Sequence, residues 1–235
     1  MKYLKECAAN YSIELSDNQL EQFQIYYEML IEKNKVMNLT TITEKKDVIL
    51  KHFLDSIAIL KDISLKRETI LDIGTGAGFP GIPLKIVRPD CSITLMDSLN
   101  KRVDFLNEVI NALKLKNIKA VHGRAEDYAR QREYREQYDY VVSRAVANLA
   151  TLSEYCLPFV KLSGYFISYK SGQVEEELTK AKSAIFLCGG KREKVNYFTL
   201  PDSENSRSLV YIKKVKGTPK TYPRKAGTPA KNPLE

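Results

Sequence analysis

Two aspartates and three glycines are spaced in this chain as a nucleoside-binding turn would need them. Leu71-Asp72-Ile73 reads as the end of a β-strand and runs straight into Gly74-Thr75-Gly76-Ala77-Gly78-Phe79-Pro80-Gly81. Glycines in such a turn let the backbone enter left-handed conformations and come close to a ligand. The dinucleotide fingerprint needs glycine at its first, third and sixth positions, and the sixth is Phe79 here. GxGxG after a strand carrying Asp72 is instead the adenosylmethionine form of the turn, in which no pyrophosphate has to meet a helix N-terminus. Asp97 lies 23 residues beyond Gly74, at the end of the next strand-like run, where a carboxylate accepts hydrogen bonds from ribose hydroxyls. Capping the following helix is its plainer use. Glu126 or Asp127, after a third such run, can take the adenine amino group or stand as an ordinary loop acid.

The acceptor side is read at the fourth strand. Enzymes that methylate exocyclic base amines usually carry Asn/Asp-Pro-Pro-aromatic there, whereas this chain has Val142-Ser143-Arg144-Ala145-Val146-Ala147. Methylation at a pyrimidine carbon needs a thiolate nucleophile, and Cys156 sits in a helix-like run as a core residue would. An acceptor that is already nucleophilic remains, such as guanine N7, whose in-plane lone pair needs no prior deprotonation. Catalysis would then be mostly alignment of acceptor, methyl and sulfur, with electrostatic support. His52, one turn from Asp55 and Ser56, and Arg144 at the strand tip are the candidate catalytic side chains. The His52 set suits a helix-surface hydrogen-bond group equally well, and no essential general base is expected.

These residues require a scaffold in which strands alternate with helices. Residues 1–65 read as an N-terminal helical cap: no glycine or proline occurs before Gly74. Ser16 with Gln19 forms a capping-box start, followed by a stripe of Leu20, Phe23, Tyr27 and Leu30. Thr43 is a candidate cap for the next helix, with Val48, Phe53, Ile57 and Leu60 on its buried face. Residues 66–215 hold strand candidates at 69–73, 92–97, 117–121, 138–143 and 164–169, with helices at 101–115 and 149–161 between them. Such alternation predicts an α/β fold, a mostly parallel, doubly wound Rossmann-like sheet. Residues 194–200 and 207–213, joined across Pro201-Asp202, add an antiparallel C-terminal pair. Residues 216–235 read as an extended basic segment.

Charge bears on the partner. The chain carries 37 Lys+Arg against 29 Asp+Glu, a formal +8. Residues 213–235 contain seven of those cations and a single acid. A basic end on a balanced body points to a polyanion, most simply nucleic acid, with Arg224 and Lys225 gripping phosphates; a solvated tail or an anionic membrane contact is its plainer use. Lys101 and Arg102 open a helix, an unfavourable dipole position for cations that also hints at an anionic partner. Lys170, at the tip of the fifth strand, lies along the same edge. No apolar run approaches the ~18 residues of a membrane span. Four cysteines without a CxxC pair and only two histidines argue against a metal site or disulfide framework and suit a reducing cytoplasm.

Taken together, the chain resembles the bacterial glucose-inhibited division protein B family, the small-subunit rRNA guanine-N7 methyltransferases. The resemblance is carried by Asn38-Leu39-Thr40, by His52 to Ser56, by the Asp72 to Leu84 loop with its two prolines, and by Asp97-Ser98 with Lys101-Arg102. Gly123-Arg124-Ala125-Glu126, Ser143-Arg144-Ala145 and Tyr222-Pro223-Arg224-Lys225-Ala226-Gly227-Thr228-Pro229 complete it. Ala77 and Phe79 depart from members that carry Pro and Leu there, a change that leaves the backbone role intact. The resemblance implies methylation of a guanine in 16S rRNA, to give 7-methylguanosine, by a cytoplasmic enzyme expected to be a monomer. It implies S-adenosyl-L-methionine contacts at Gly74, Phe79, Asp97, Ser98, Leu99, Ala125, Glu126 and Arg144. The rival is a non-catalytic rRNA-binding or assembly protein that retains the sheet; a nicotinamide dehydrogenase is weakened by Phe79 and by the lack of a second nucleotide half.

Overall fold

The segment that lacks glycine and proline folds into helices, at Lys2–Ala9 and Asp17–Met37 and then over residues 45–61. The computed structural model describes residues 1–235. The capping box forms: Gln19 N donates to Ser16 Oγ, and Ser16 N donates to Gln19 Oε1 at 2.9 Å. Gln19 Nε2 then donates to the Ile86 carbonyl at 2.8 Å, docking the helix start onto the Gly81–Val87 helix. The buried stripe is Phe23, Tyr26 and Leu30, not the Tyr27 register expected. Tyr26 wins because its ring lies 5.4 Å from Phe79 and its hydroxyl donates to the Ala77 carbonyl at 2.6 Å. Left-handed Asn38, at φ 48°, ends this helix.

Residues 45–61 are not one regular α-helix. Lys45–Val48 passes into a π-turn over Ile49–Leu54, then α over Asp55–Ile57 and a 3₁₀ turn over Ala58–Lys61. Glu44 occupies the N-cap without a side-chain bond, so Thr43 does not cap it. Val48, Phe53 and Ile57 are buried as expected, whereas Leu60 is half-buried.

After Gly74 the chain alternates as expected. Strands β1 (Thr69–Ile73), β2 (Ser92–Asp97), β3 (Ile118–His122), β4 (Tyr138–Arg144) and β5 (Val160–Ser171) are parallel. β6 (Gly190–Thr199) and β7 (Ser206–Lys214) form the antiparallel pair, with β7 inserted beside β5. The sheet order is β3-β2-β1-β4-β5-β7-β6. The helix expected to reach residue 161 stops at Cys156, passes through a 3₁₀ turn at Leu157–Phe159, and β5 begins at Val160.

Alternate residues of each central strand feed two cores. Ile70, Ile93, Leu95, Val142 and Ile167 pack with the N-terminal helices and the helices at Gly81–Val87 and Asn100–Ala112. Leu71, Met96, Val141 and Phe166 pack on the other face with the helices at Leu149–Cys156 and Lys182–Leu187. The strands are therefore apolar on both faces, as parallel strands covered by helices must be. Burying each such side chain contributes about 1.5–3 kcal/mol. The first 65 residues share one continuous core with the sheet. Cys156 is fully buried, and burial pushes its thiol far up, away from the thiolate form.

The C-terminal segment is not extended. It folds back across the sheet's carboxyl end and finishes in a helical turn at Thr228–Lys231, with Pro229 buried. Arg135 donates to the carbonyls of Thr218, Pro219 and Tyr222, and the Leu234 carbonyl accepts from Ala184 N. Composition alone read this stretch as extended because its prolines and cations are numerous; the partners that fold it back, Arg135 and Glu154, lie elsewhere in the chain.

Candidate functional site

In a doubly wound sheet, ligands settle beyond the carboxyl ends of the strands where the order reverses, here between β1 and β4. Two clefts open along this edge. The first, of about 240 Å³, is lined by Gly74, Asp97, Ser98, Ala125, Glu126 and Val146, among others. The second, of about 330 Å³, lies between the N-terminal cap and the ends of β4, β5 and β7, and includes His52, Asp55 and Arg144. Ala145 stands at φ +56°, and this left-handed turn puts Ala145 at the second cleft and Val146 at the first.

The glycine loop is clamped from below by Asp72. Its Oδ2 accepts from Thr75 Oγ1 at 2.6 Å and from Gly81 N at 2.8 Å, while its buried Oδ1 has no partner. Burial pushes its pKa up to about 7. Gly74, at φ +69°, would place a Cβ 2.4 Å from Val146 Cγ2, so only glycine fits between the loop and the turn after β4. Gly76, at φ +62°, has open space where a Cβ would stand.

Asp97 serves the scaffold and faces the first cleft. It accepts from Gly76 N at 2.9 Å and Leu99 N at 3.0 Å, with Arg102 more distant at 3.4 Å. A carboxylate offers about four acceptor positions, so capacity remains for a ribose hydroxyl, and more if Arg102 releases. Glu126 Oε1 is engaged, accepting from Gly227 N at 2.9 Å. That bond brings the C-terminal segment to the cleft, which Gly227 helps to line. The carboxylates, the open backbone at Gly76 and the depth at Gly74 fit an adenosyl group carrying a cationic end.

The other expected contacts divide differently. Leu99 is exposed beside the first cleft. The Phe79 side chain is buried away from it, stacked on the His52 ring at 4.5 Å with the Arg144 guanidinium 5.1 Å away. Arg144 itself lines the second cleft. Its Nη1 donates to Asp55 Oδ2 at 2.8 Å and to the Lys51 carbonyl, which lies in the π-turn, at 3.0 Å. Its Nη2 lies 3.2 Å from His52 Nδ1. A guanidinium can only donate, so His52 Nδ1 accepts and the proton sits on Nε2, 2.8 Å from Thr40 Oγ1. Burial, with the Arg144 charge beside it, pushes the His52 pKa down to about 3.

Among the cations expected to meet a polyanion, Lys101 and Lys225 are exposed, and Arg102 is half-buried against Asp97. Two are not available as drawn from the sequence. Arg224 turns inward and grips the buried Glu154 with its backbone N, Nε and Nη2, the last at 2.7 Å. Glu154 cannot lie dry without that partner, so Arg224 pins the C-terminal segment and does not point to solvent. Lys170 is likewise held, by Glu177 at 2.6 Å and the Ala147 carbonyl at 2.8 Å. Lys213 and Lys214 pair with Glu193 and Glu136, which leaves Lys216, Lys220, Lys225 and Lys231 as the segment's exposed cations. Arg207, which the sequence reading passed over as a strand residue, stands at the second cleft. No local signal marks it, since Asp55 and Arg144 lie far away along the chain.

This sheet order, with a glycine turn after β1 and carboxylates after β2 and β3, defines a class I, Rossmann-like methyltransferase. The M. jannaschii TYW2 structure, solved in complex with AdoMet, shares the fold: TM-score 0.51 at 18% identity, covering 64% of this chain and 69% of that one. The family model for rRNA small subunit methyltransferase G matches residues 19–210, and the chain belongs to that family. It is 60% identical over 223 residues to ribosomal RNA small subunit methyltransferase G of Lachnoclostridium phytofermentans, covering 94% of this chain and 92% of that protein. Against the Desulforamulus reducens protein of the same name it is 56% identical, covering 98% and 97%. The chain is accordingly a methyltransferase, and the non-catalytic alternative is disfavoured.

Proposed function

We propose that this enzyme transfers the methyl group of S-adenosylmethionine to N7 of a guanine in 16S rRNA, acting in the cytoplasm on the small ribosomal subunit or its RNA. The observation that carries the choice of acceptor is the state of the second cleft: its polar groups are cationic or already engaged. Asp55, the one carboxylate lining it, accepts from Arg144 and faces Arg207 at 3.5 Å. His52 is neutral with its Nδ1 lone pair occupied by Arg144. Neither group is free to remove a proton, as an exocyclic amine would require, whereas N7 attacks through its own lone pair.

When bound, the cofactor supplies an electrophilic methyl on a sulfonium. Gly74 and Gly76 would admit it to the backbone, and Asp97 would accept from its ribose. Ser98, Ala125 and Glu126 would flank the adenine, and Gly227 closes that side. Arg144 holds the β4 tip to the π-turn and so fixes the spacing between the two clefts. The rate then derives from alignment. A test is to incubate small subunits and naked 16S rRNA, both from cells lacking the enzyme, with methyl-labelled cofactor and to identify the modified nucleoside. Label in 7-methylguanosine is expected; label on an exocyclic amine or a pyrimidine carbon would overturn the reading.

A further inference from the structure

The second cleft holds more positive charge than the fold requires. Lys51, Arg144, Lys170 and Arg207 line it against Asp55 alone. Three of the four cations have close acidic partners: Lys51 with Asp47 at 2.9 Å, Arg144 with Asp55 at 2.8 Å, Lys170 with Glu177 at 2.6 Å. Arg207 is the exception. Its Nε lies 3.5 Å from Asp55 Oδ1, its Nη1 donates only to the neighbouring Ser206 carbonyl, and its Nη2 meets no protein acceptor. The side chain is nevertheless only 24% exposed. This half-buried guanidinium shares its one carboxylate, Asp55, with Arg144 and keeps donors for a further anion.

Building on the function proposed above, we infer that Arg207 binds a backbone phosphate flanking the target guanine. Three points converge on that ligand. The planar guanidinium fork matches phosphate oxygens in a bidentate way. At about 330 Å³ the cleft falls within the size range of small-ligand pockets, so it admits a nucleotide and not merely an ion. The third point is electrostatic. Methylation at N7 leaves the guanine ring cationic, and the charge of Arg207, whose one carboxylate already serves Arg144, would oppose that product. A phosphate seated on Arg207 cancels the excess and keeps the base within reach of the Ala145–Val146 turn. β7 thereby enters the site although its residues lie far along the chain from the cofactor loop. Arg144, engaged by Asp55, His52 and the Lys51 carbonyl, positions the cleft wall.

The test uses the full-length enzyme with 16S rRNA or small subunits, whichever the wild type methylates. Arg207→Gln should raise KM for RNA roughly tenfold, leave kcat at saturating RNA within about twofold, and leave the cofactor Kd by calorimetry unchanged. The slope of log affinity against log salt should flatten by ~0.7 for a contact to single-stranded RNA. Arg207→Lys keeps the charge and loses the fork, so its salt slope should match wild type while KM rises by a smaller factor. If Arg207→Gln proves unfolded by thermal melting, Arg207→Lys decides alone, and a wild-type KM in it overturns the inference. An unchanged KM and salt slope in folded Arg207→Gln does the same. If the wild type itself leaves 16S rRNA unmethylated, the proposed function fails; if it methylates and the variants equal it, only the phosphate site fails.

Discussion

The two clefts on the sheet edge are separated by one backbone turn and have opposite electrical characters. The first presents Asp97 and Glu126, with Arg124 as its single cation. The second presents four cations around Asp55. An acidic wall suits hydroxyl donors and a sulfonium; a cationic wall suits phosphates. The division also explains why the carboxylates of the first are spent partly on backbone N–H groups, which position without adding charge, while the single carboxylate of the second is spent on arginines. Adjacent sites of opposite sign let one enzyme hold a cationic donor and a polyanionic acceptor without the two competing for the same groups.

The comparison predicts its largest effect at Arg144. Replacing it with alanine removes the close partner of buried Asp55 and a donor to His52. Stability should fall by about 3 kcal/mol, toward the lower end expected for breaking a buried pair because Arg207 stays nearby, as read by urea denaturation. Cofactor affinity of the folded fraction should change far less; a selective loss of cofactor binding would move Arg144 to the first cleft and undo the division.

Next is Asp97→Ala, which should cost ~1–3 kcal/mol of cofactor binding by calorimetry and leave RNA binding at near wild-type strength. Loss of RNA affinity instead would mean that the clefts are not separate in function.

His52 tests the neutrality of the second cleft. With its folded pKa near 3 against an ordinary 6.5, the unfolded chain binds the proton that the folded one refuses between those values. The contribution of His52 to stability is therefore present above pH 6.5 and is lost as pH falls toward 3. Since His122 is the only other histidine, ring proton NMR can follow His52 directly; a midpoint near 6.5 would contradict the arrangement. His52→Ala should slow the chemical step at saturating substrates well short of the ~10²–10⁴-fold that follows loss of an acid–base group.

The smallest effect belongs to Lys225→Ala. This exposed lysine should leave stability within about 0.5 kcal/mol of wild type and, if it meets RNA, flatten the salt slope by ~0.7. Arg224→Ala, by contrast, should unfold the C-terminal segment by stranding Glu154, visible as accelerated proteolysis near the C-terminus.

Much of this was legible along the chain. Short β-prone runs between helical stretches, the capping box at Ser16 and the strand-to-glycine passage at Asp72–Gly74 are local patterns, decided by backbone sterics and by residue type. They sufficed for the alternating sheet, the antiparallel end and the loop beneath the first cleft. Asp97 was readable because its place follows from strand length and a following helix. Tyr26 in place of Tyr27 was not, because a helix stripe tolerates a one-residue rotation until a partner such as the Ala77 carbonyl selects the register.

What the sequence by itself determined, then, is the set of elements and the ligand-facing turn, since both depend on interactions between residues a few positions apart. Only the tertiary structure decided which charges are free. Arg224 and Lys225 are neighbours with the same formal charge, yet one is committed to Glu154, 70 residues away, and the other meets solvent. Arg207 looked like any strand cation until the fold set it beside Asp55 and Arg144. A charge acts according to its partners and its burial, and both are properties of long-range packing that no local pattern encodes.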